Sequence, residues 1–370
     1  MSDYFVIDAD SHVEEPEEAW NYLQDKYQER RPFPIAVPNR PILANLNAFW
    51  WIDGVVHPKI SGSNHTVFGT PPVSYHATHK KFSIGSQTLL DAKERLKDMD
   101  AAGVDIQVNF PTVFLEELTD DIEFEADLMR SYNTWICNAC KADPKRLKWG
   151  AIMPLRNVPA AVEELKRTRD LGAATAIIYG TVGEKLLDLP EFNPFFAEAE
   201  KLNFPVSAHT GWSHPGLRAS GTTIMAAHTV TFTLPLLLGF YGVVAGGVLD
   251  RFPKLKISFL EAGADWLPYM LQRMDHYFHS EKAINRPGLP QRAPTEYFKD
   301  CEIYFTCEGD EKLLPEVLKW IGDDKMMISG DMPHAEAREN SISEIKERND
   351  ITDAQKRRIL GENAKKFFGL

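Results

Sequence analysis

Side chains able to bind metal or move protons occur at a few places in the chain, each at the end of a short β-rich run. Residues 4–8 (YFVID) lead into Ala9-Asp10-Ser11-His12, FPVSAHTG carries His209, LKISFLEAG carries Glu261, and KMMISGD ends in Asp331. Side chains two apart on a strand share a face, so alternation predicts Asp8, Asp10 and His12 on one face if the first strand continues that far. Clustered carboxylates repel, and burying them without a counter-charge is costly. A divalent cation removes that cost. Imidazole nitrogen combined with carboxylate oxygen suits zinc, manganese or iron, and the mixture by itself does not choose among them. Each residue alone has a plainer reading: Asp331 could cap a helix, and His209 could be an ordinary satisfied polar group. It is their joint occurrence at strand ends that argues for a metal site.

The elements that must position these groups are short β-rich runs alternating with longer helical patterns, the signature of βαβ units and a parallel sheet. After the first strand, strands are predicted over 104–111, 147–154, 174–180, 204–211, 255–263, 303–309 and 325–331. Helices are predicted over 89–102, 120–142, 158–171, 190–202, 265–282 and 311–321, with a long uncharged helix after strand five and terminal helices after strand eight. Eight such units predict an α/β fold of the (β/α)8 TIM-barrel type, whose catalytic groups sit at the C-terminal ends of the strands. Residues 17–85 break the rhythm with Pro, Trp and His. They read as a loop-rich insertion after strand one that caps the site or forms a subunit contact, within a single barrel domain over 1–370.

Composition narrows the partners. With 41 basic against 53 acidic residues the net charge is −12, so phosphate backbones and anionic membranes are poor matches and no nucleic-acid or membrane partner is expected. Four cysteines in 370 residues make no disulfide framework, and Cys137, Cys140, Cys301 and Cys307 read as buried free thiols. Residues 220–249 carry no Asp, Glu, Lys or Arg and are long enough to span a bilayer. His228, Pro235 and the glycines within them favour a helix buried in the fold or in a subunit interface. The start of the chain lacks the apolar core of a signal peptide. The expectation is a soluble cytoplasmic enzyme acting on a small molecule, as a homodimer or higher homo-oligomer.

At this point the sequence resembles a known family. DADSHVEEP, RLKDMDAAGVDIQVNFP, WGAIMPL, VSAHTG, GGVLDRFPKLKISFLEAGADWLPYMLQRMDHYF and MMISGDMPH, in that order and spacing, resemble the amidohydrolase superfamily. The branch is the one related to aminocarboxymuconate-semialdehyde decarboxylase and γ-resorcylate decarboxylase, and the resemblance covers nearly all of the chain outside 17–85. It implies that Asp10 and His12 are metal ligands, joined by His209 and Asp331. One position departs from it: the decarboxylases carry a histidine at the end of strand six, where this chain has Glu261. A glutamate there could be a further ligand, a bridge to a second metal, or a general base. His228, His334, Trp212 and His214 are candidate pocket residues, with His334 also placed to orient Asp331. Arg95 reads as an ion-pair residue, and Phe49, Trp50 and Trp51 as a possible cap pointing to an aromatic or apolar substrate.

The leading expectation is a metal-dependent hydrolase in which one or two divalent ions, zinc first among them, lower the pKa of bound water to about 7. Asp331 or Glu261 would then move the proton, with His209 among the catalytic groups, and an amide, ester, thioester or C–C bond would be cleaved. The alternative is non-oxidative decarboxylation of an aromatic acid. A catalytically silent barrel would show damaged ligand positions, and all of them carry competent side chains.

Overall fold

The computed structural model describes residues 4–36, 47–58, 69–334 and 340–370. Eight strands lie side by side in chain order: Ile7–Val13, Ile106–Pro111, Leu147–Ile152, Thr175–Tyr179, Val206–His209, Lys256–Leu260, Glu302–Cys307 and Met326–Ile328. Every pairing within this sheet is parallel, and helices occupy the connections. Runs such as TAIIY and KISFL are buried almost throughout, as strands covered on both faces must be. Between the first and last strands the ring is drawn together by two backbone hydrogen bonds, Asp331 N–H to Asp10 C=O (2.9 Å) and His12 N–H to Met332 C=O (2.6 Å). This is the (β/α)8 barrel that the alternation of elements predicts.

Local chemistry sets the helix limits. Asp91 caps Ala92–Ala102 by accepting from Lys93 N, and Gly103 ends that helix at φ 71°, where a side chain would be strained. Asp121 caps Ile122–Cys140 through the amides of Glu123 and Phe124. The uncharged stretch is not one regular helix. It runs as a π-helical turn over Ala227–Phe232, an α-helix over Leu234–Val244 and a short turn over Val248–Arg251. Gly239 explains where it goes: a Cβ there would stand 2.6 Å from the Gly180 carbonyl oxygen, so only glycine lets this helix lie against the exit of the fourth strand. Ala227–Arg251 is apolar and long enough to cross a membrane, and 56% of its most apolar window is buried inside the fold.

The segment after the first strand contains 3-10 turns and a three-stranded antiparallel sheet, Phe33–Ala36, Ala48–Ile52 and Val55–His57. Arg30 ties it to the barrel by bridging Asp53 (2.7 Å) and Asp121 (2.8 Å). Trp50 does not cap the mouth as expected. Its indole is fully buried in the main core, edge-on to Trp20 with ring centroids 5.9 Å apart. Trp51, on the opposite face from Trp50, is partly exposed, as alternation along one strand allows, whereas Phe49 is buried as well. All four cysteines are free and buried.

Candidate metal centre

Four strand ends bring Asp10, His12, His209, Glu261 and Asp331 to one place. The first strand supplies Asp10 and His12, both fully buried, and the fifth ends in His209. Glu261 follows the sixth strand and Asp331 follows the eighth. Both adopt left-handed backbone, at φ 66° and 50°, a conformation that costs energy for a residue with a Cβ and that recurs where function demands it. Asp331 is held in it by its N–H bond to Asp10 and by donation from His334 N–H to its carbonyl (3.0 Å). The amide of Glu261 donates to Thr306 Oγ1 (3.0 Å) and its carboxylate accepts from Thr210 Oγ1 (3.0 Å).

The first strand departs from simple alternation. Its register against the second strand shifts between Asp8 and Ser11, a bulge that takes Asp8 out of the cluster. The Asp8 carboxylate instead accepts from Ser11 Oγ (2.5 Å), Gly330 N (2.9 Å) and Asp10 N (3.3 Å). It thus clamps the two chain segments that carry Asp10 and Asp331. Burial raises its pKa to about 6.

The hydrogen-bond pattern fixes which ring nitrogens face the cluster. His12 Nδ1 lies 2.9 Å from the Pro111 carbonyl and His209 Nδ1 lies 3.0 Å from that of Thr210, so each Nδ1 carries a proton and each Nε2 points inward. His12 Nε2 stands 3.6 Å from Asp10 Oδ1, 3.6 Å from Asp331 Oδ1 and 3.9 Å from Glu261 Oε2. His209 Nε2 stands 3.3 Å from Asp10 Oδ1 and 3.1 Å from Glu261 Oε2. Two buried atoms in this array, His12 Nε2 and Asp10 Oδ2, have no hydrogen-bond partner. A neutral imidazole lone pair and carboxylate oxygens a few ångströms apart, buried and partly orphaned, fit a divalent cation and little else. The donor atoms fall into two overlapping sets that share His12, one with Asp10 and His209, the other with Glu261, Asp331 and His334.

The two imidazoles titrate in opposite directions in the metal-free protein. Burial, with the neighbouring His209 charge, pushes His12 down to about 3. Burial would also lower His209, but the carboxylates of Asp10 and Glu261 outweigh it and raise the group to about 9. A cation entering here therefore displaces a proton from His209, since only the deprotonated ring can ligate.

The remaining candidates are distributed around this core. His334 lies with its ring 4.1 Å from that of His12, Nδ1 2.7 Å from Asp331 Oδ1 and Nε2 2.9 Å from Thr112 Oγ1. Trp212 packs on Phe232 and donates from its indole nitrogen to the Ala227 carbonyl, with His228 alongside. Burial lowers the His228 pKa. His214 accepts from Leu217 N through Nδ1 and so caps the helix Pro215–Ser220. Arg95 is not an ion-pair residue in the sense expected: its guanidinium is fully buried and donates to the carbonyls of Ser86, His12 and Gln87 and to the side chains of Gln107 and Asn109. It thereby braces the backbone of His12. Sequence reasoning gave no role to Thr112, Gly330 or Glu116. Glu116, at the barrel mouth, pairs with His57 of the insertion (2.8 Å) and with Arg218. Thr112 was findable, because it follows the second strand at the end where such sites form.

The family model for amidohydrolases matches residues 76–370. The chain belongs to that amidohydrolase family. Among curated relatives, γ-resorcylate decarboxylase of Rhizobium sp. (strain MTP-10005) is 30% identical over 308 residues, covering 76% of this chain and 88% of that protein. The 2-amino-3-carboxymuconate-6-semialdehyde decarboxylase of Dictyostelium discoideum is 25% identical over 284 residues, covering 76% of this chain and 77% of its own. Among solved structures, an amidohydrolase from Mycobacterium avium subsp. paratuberculosis K-10 superposes over the whole of both chains with a TM-score of 0.75 at 20% identity. The amidohydrolase chain is thus an enzyme-family barrel whose curated relatives are decarboxylases, and a divalent metal suits its donor set, with the choice of zinc left open.

Proposed function

We propose that this amidohydrolase is a metal-dependent carboxy-lyase that removes carbon dioxide from a hydroxylated aromatic acid. The observation that carries the reading is the buried cluster of carboxylate and imidazole donors at the C-terminal ends of the barrel strands, a set suited to a divalent ion that draws in an acidic substrate. Beside it Phe110, Phe114, Leu115, Ile152, Ile177 and Tyr179 line a gap with room for about one water, edged by His209 and Thr210. The kinship to γ-resorcylate decarboxylase supports the same reading over hydrolysis.

Asp10, His12, His209 and Asp331 would hold the ion, with Glu261 beside them. When bound it supplies positive charge that orients the substrate carboxylate and its neighbouring oxygen and steadies the charge that builds up during reaction. Asp331, just past the last strand and with its carboxylate beside the His334 ring, is the acid. It delivers a proton to the ring carbon that bears the carboxylate, forming a C–H bond. The C–CO2 bond then breaks, its electron pair returns to the ring, and water restores the Asp331 proton.

The test is carbon dioxide release from a panel of hydroxybenzoic acids, γ-resorcylate first. Protein stripped by chelator and reloaded separately with zinc, manganese or iron would be compared. Release that vanishes on stripping and returns with one of the ions is expected; no release with any ion and any acid overturns the reading. Glu261 is the single feature favouring a second reading, hydrolysis, because a carboxylate beside the cluster could serve as a general base. Retained or increased carbon dioxide release in Glu261→His would eliminate that second reading.

A further inference from the structure

We propose that Glu261 is a fifth protein ligand to a single divalent ion, held for that role by Thr210, and that it tips the centre away from zinc. The proposal rests on the metal-binding part of the proposed function and not on which bond is broken. Glu261 Oε2 stands 3.1 Å from His209 Nε2 and 3.9 Å from His12 Nε2. Asp10 Oδ1 stands 3.3 Å and 3.6 Å from the same two atoms. The two carboxylates hold nearly equivalent places beside the paired imidazoles, so an ion that takes Asp10 also meets Glu261. Asp331 Oδ1 joins the set at 3.6 Å from His12 Nε2. Donors about 2.1 Å from one ion lie about 3.0 Å apart when adjacent in an octahedron and about 4.2 Å apart when opposite. Every one of these separations falls within that range.

The Glu261 carboxylate is fixed from two sides. Its own amide donates to Thr306 Oγ1 on the seventh strand (3.0 Å), which anchors the left-handed backbone at φ 66°. Thr210 Oγ1, buried and next in sequence to His209, donates to Glu261 Oε2 itself (3.0 Å). A carboxylate oxygen has lone pairs for both a hydroxyl and a cation, and such a bond orients a ligand. Three carboxylates and two imidazoles exceed the four donors of an ordinary zinc site and leave one place of six for substrate. An oxygen-rich six-coordinate set suits manganese better than zinc.

The test reads the ion and needs no turnover. Cobalt(II) gives weak visible bands in a six-coordinate site and intense ones in a four-coordinate site. Chelator-stripped protein and its Glu261→Gln, Glu261→His and Thr210→Val variants are loaded with cobalt. Each is also titrated with manganese, followed by electron paramagnetic resonance, and with zinc against a competing chelator. The parent should show weak cobalt bands that intensify in Glu261→Gln. Manganese affinity should fall at least about 100-fold in Glu261→Gln and zinc affinity less than about tenfold. Glu261→His, which exchanges oxygen for imidazole nitrogen, should move the preference toward zinc. Thr210→Val leaves the ligand in place but loosens it, so manganese should weaken about tenfold even if the Glu261 variants do not fold. Intense bands in the parent overturn the proposal. So do equal losses of manganese and zinc in Glu261→Gln, the effect expected from removing a nearby charge alone, or undiminished manganese affinity in Thr210→Val. A parent that binds none of the three ions overturns the metal-dependent reading as well, whereas ions bound with spectra unchanged in Glu261→Gln overturn the ligand alone.

Discussion

Replacing Glu311 by glutamine tests whether the loop that carries Glu261 is held by a single half-buried carboxyl. Glu311 Oε2 accepts from Ala264 N (2.7 Å) and Oε1 from Glu308 N (2.7 Å), joining the exits of the sixth and seventh strands three residues past Glu261. Burial raises its pKa to about 7 from an ordinary 4.5, against the pull of those two amides. The folded protein therefore binds one more proton than the unfolded chain between those values. Stability is fully present below about pH 4.5 and declines as pH rises through about 7. At about 1.4 kcal/mol for each pH unit, the loss attributable to this group is about 3 kcal/mol. Glutamine cannot titrate, so the variant loses that decline, at the cost of one of the two amide acceptors, worth about 1 kcal/mol. The assay is urea unfolding followed by tryptophan fluorescence at pH 5, 6, 7 and 8, in chelator so that metal binding does not contribute. The difference between parent and variant should narrow or change sign by pH 8. A difference that stays constant across the four pH values refutes the assignment.

Further outcomes follow from the same geometry. Asp331→Asn keeps the shape of the site but cannot donate a proton to carbon, so turnover should fall at least about 100-fold, read as carbon dioxide release at saturating substrate. Gly330→Ala would place a Cβ 2.5 Å from Asp8 Oδ2. It should cost about 1–3 kcal/mol in chemical denaturation and weaken metal retention on dialysis, because the clamp between Asp8 and the Asp331 segment must open. Trp50→Ala empties a fully buried site beside Trp20 and should lower stability by about 3–5 kcal/mol, with the metal content of the surviving folded protein unchanged.

What the sequence disclosed and what it withheld divide along a physical line. Barrel strands are apolar runs bounded by turns, and the first of their helices begin at Asp or Asn caps, Asp91, Asp121 and Asn157, so both periodicities survive in one dimension. The ligand types at strand ends were legible for the same reason, because each follows an apolar run directly. The bulge in the first strand was not, since a register shift between Asp8 and Ser11 leaves the sequence pattern intact while moving one carboxylate from the cluster to a clamp. The breaks in the uncharged helix were hidden as well: composition reports apolarity, whereas the π-helical turn depends on what the helix meets. Trp50 and Trp51 are adjacent in sequence and opposite in fate, and only the pairing of their strand decides which one enters the core.

Closing the barrel and assembling the site are one event in this chain. The backbone bonds that join the first and last strands are made by Asp10, His12, Met332 and Asp331 themselves, so the ring cannot close without bringing three ligand-type side chains together. The cost is visible in the left-handed backbone of Glu261 and Asp331 and in the unpartnered atoms His12 Nε2 and Asp10 Oδ2. Hydrogen bonds alone cannot offset it, because the His12 lone pair and the carboxylate oxygens are all acceptors. A divalent ion can, and it stabilises the folded chain only, in proportion to the logarithm of its concentration over its dissociation constant. Metal loading should therefore tighten the seam between strands one and eight more than any other part of the barrel. Amide exchange at His12 and Asp331 slowing with zinc, while exchange in the third and fourth strands stays constant, is the expected result. Uniform slowing throughout would mean that closure and site assembly are separate.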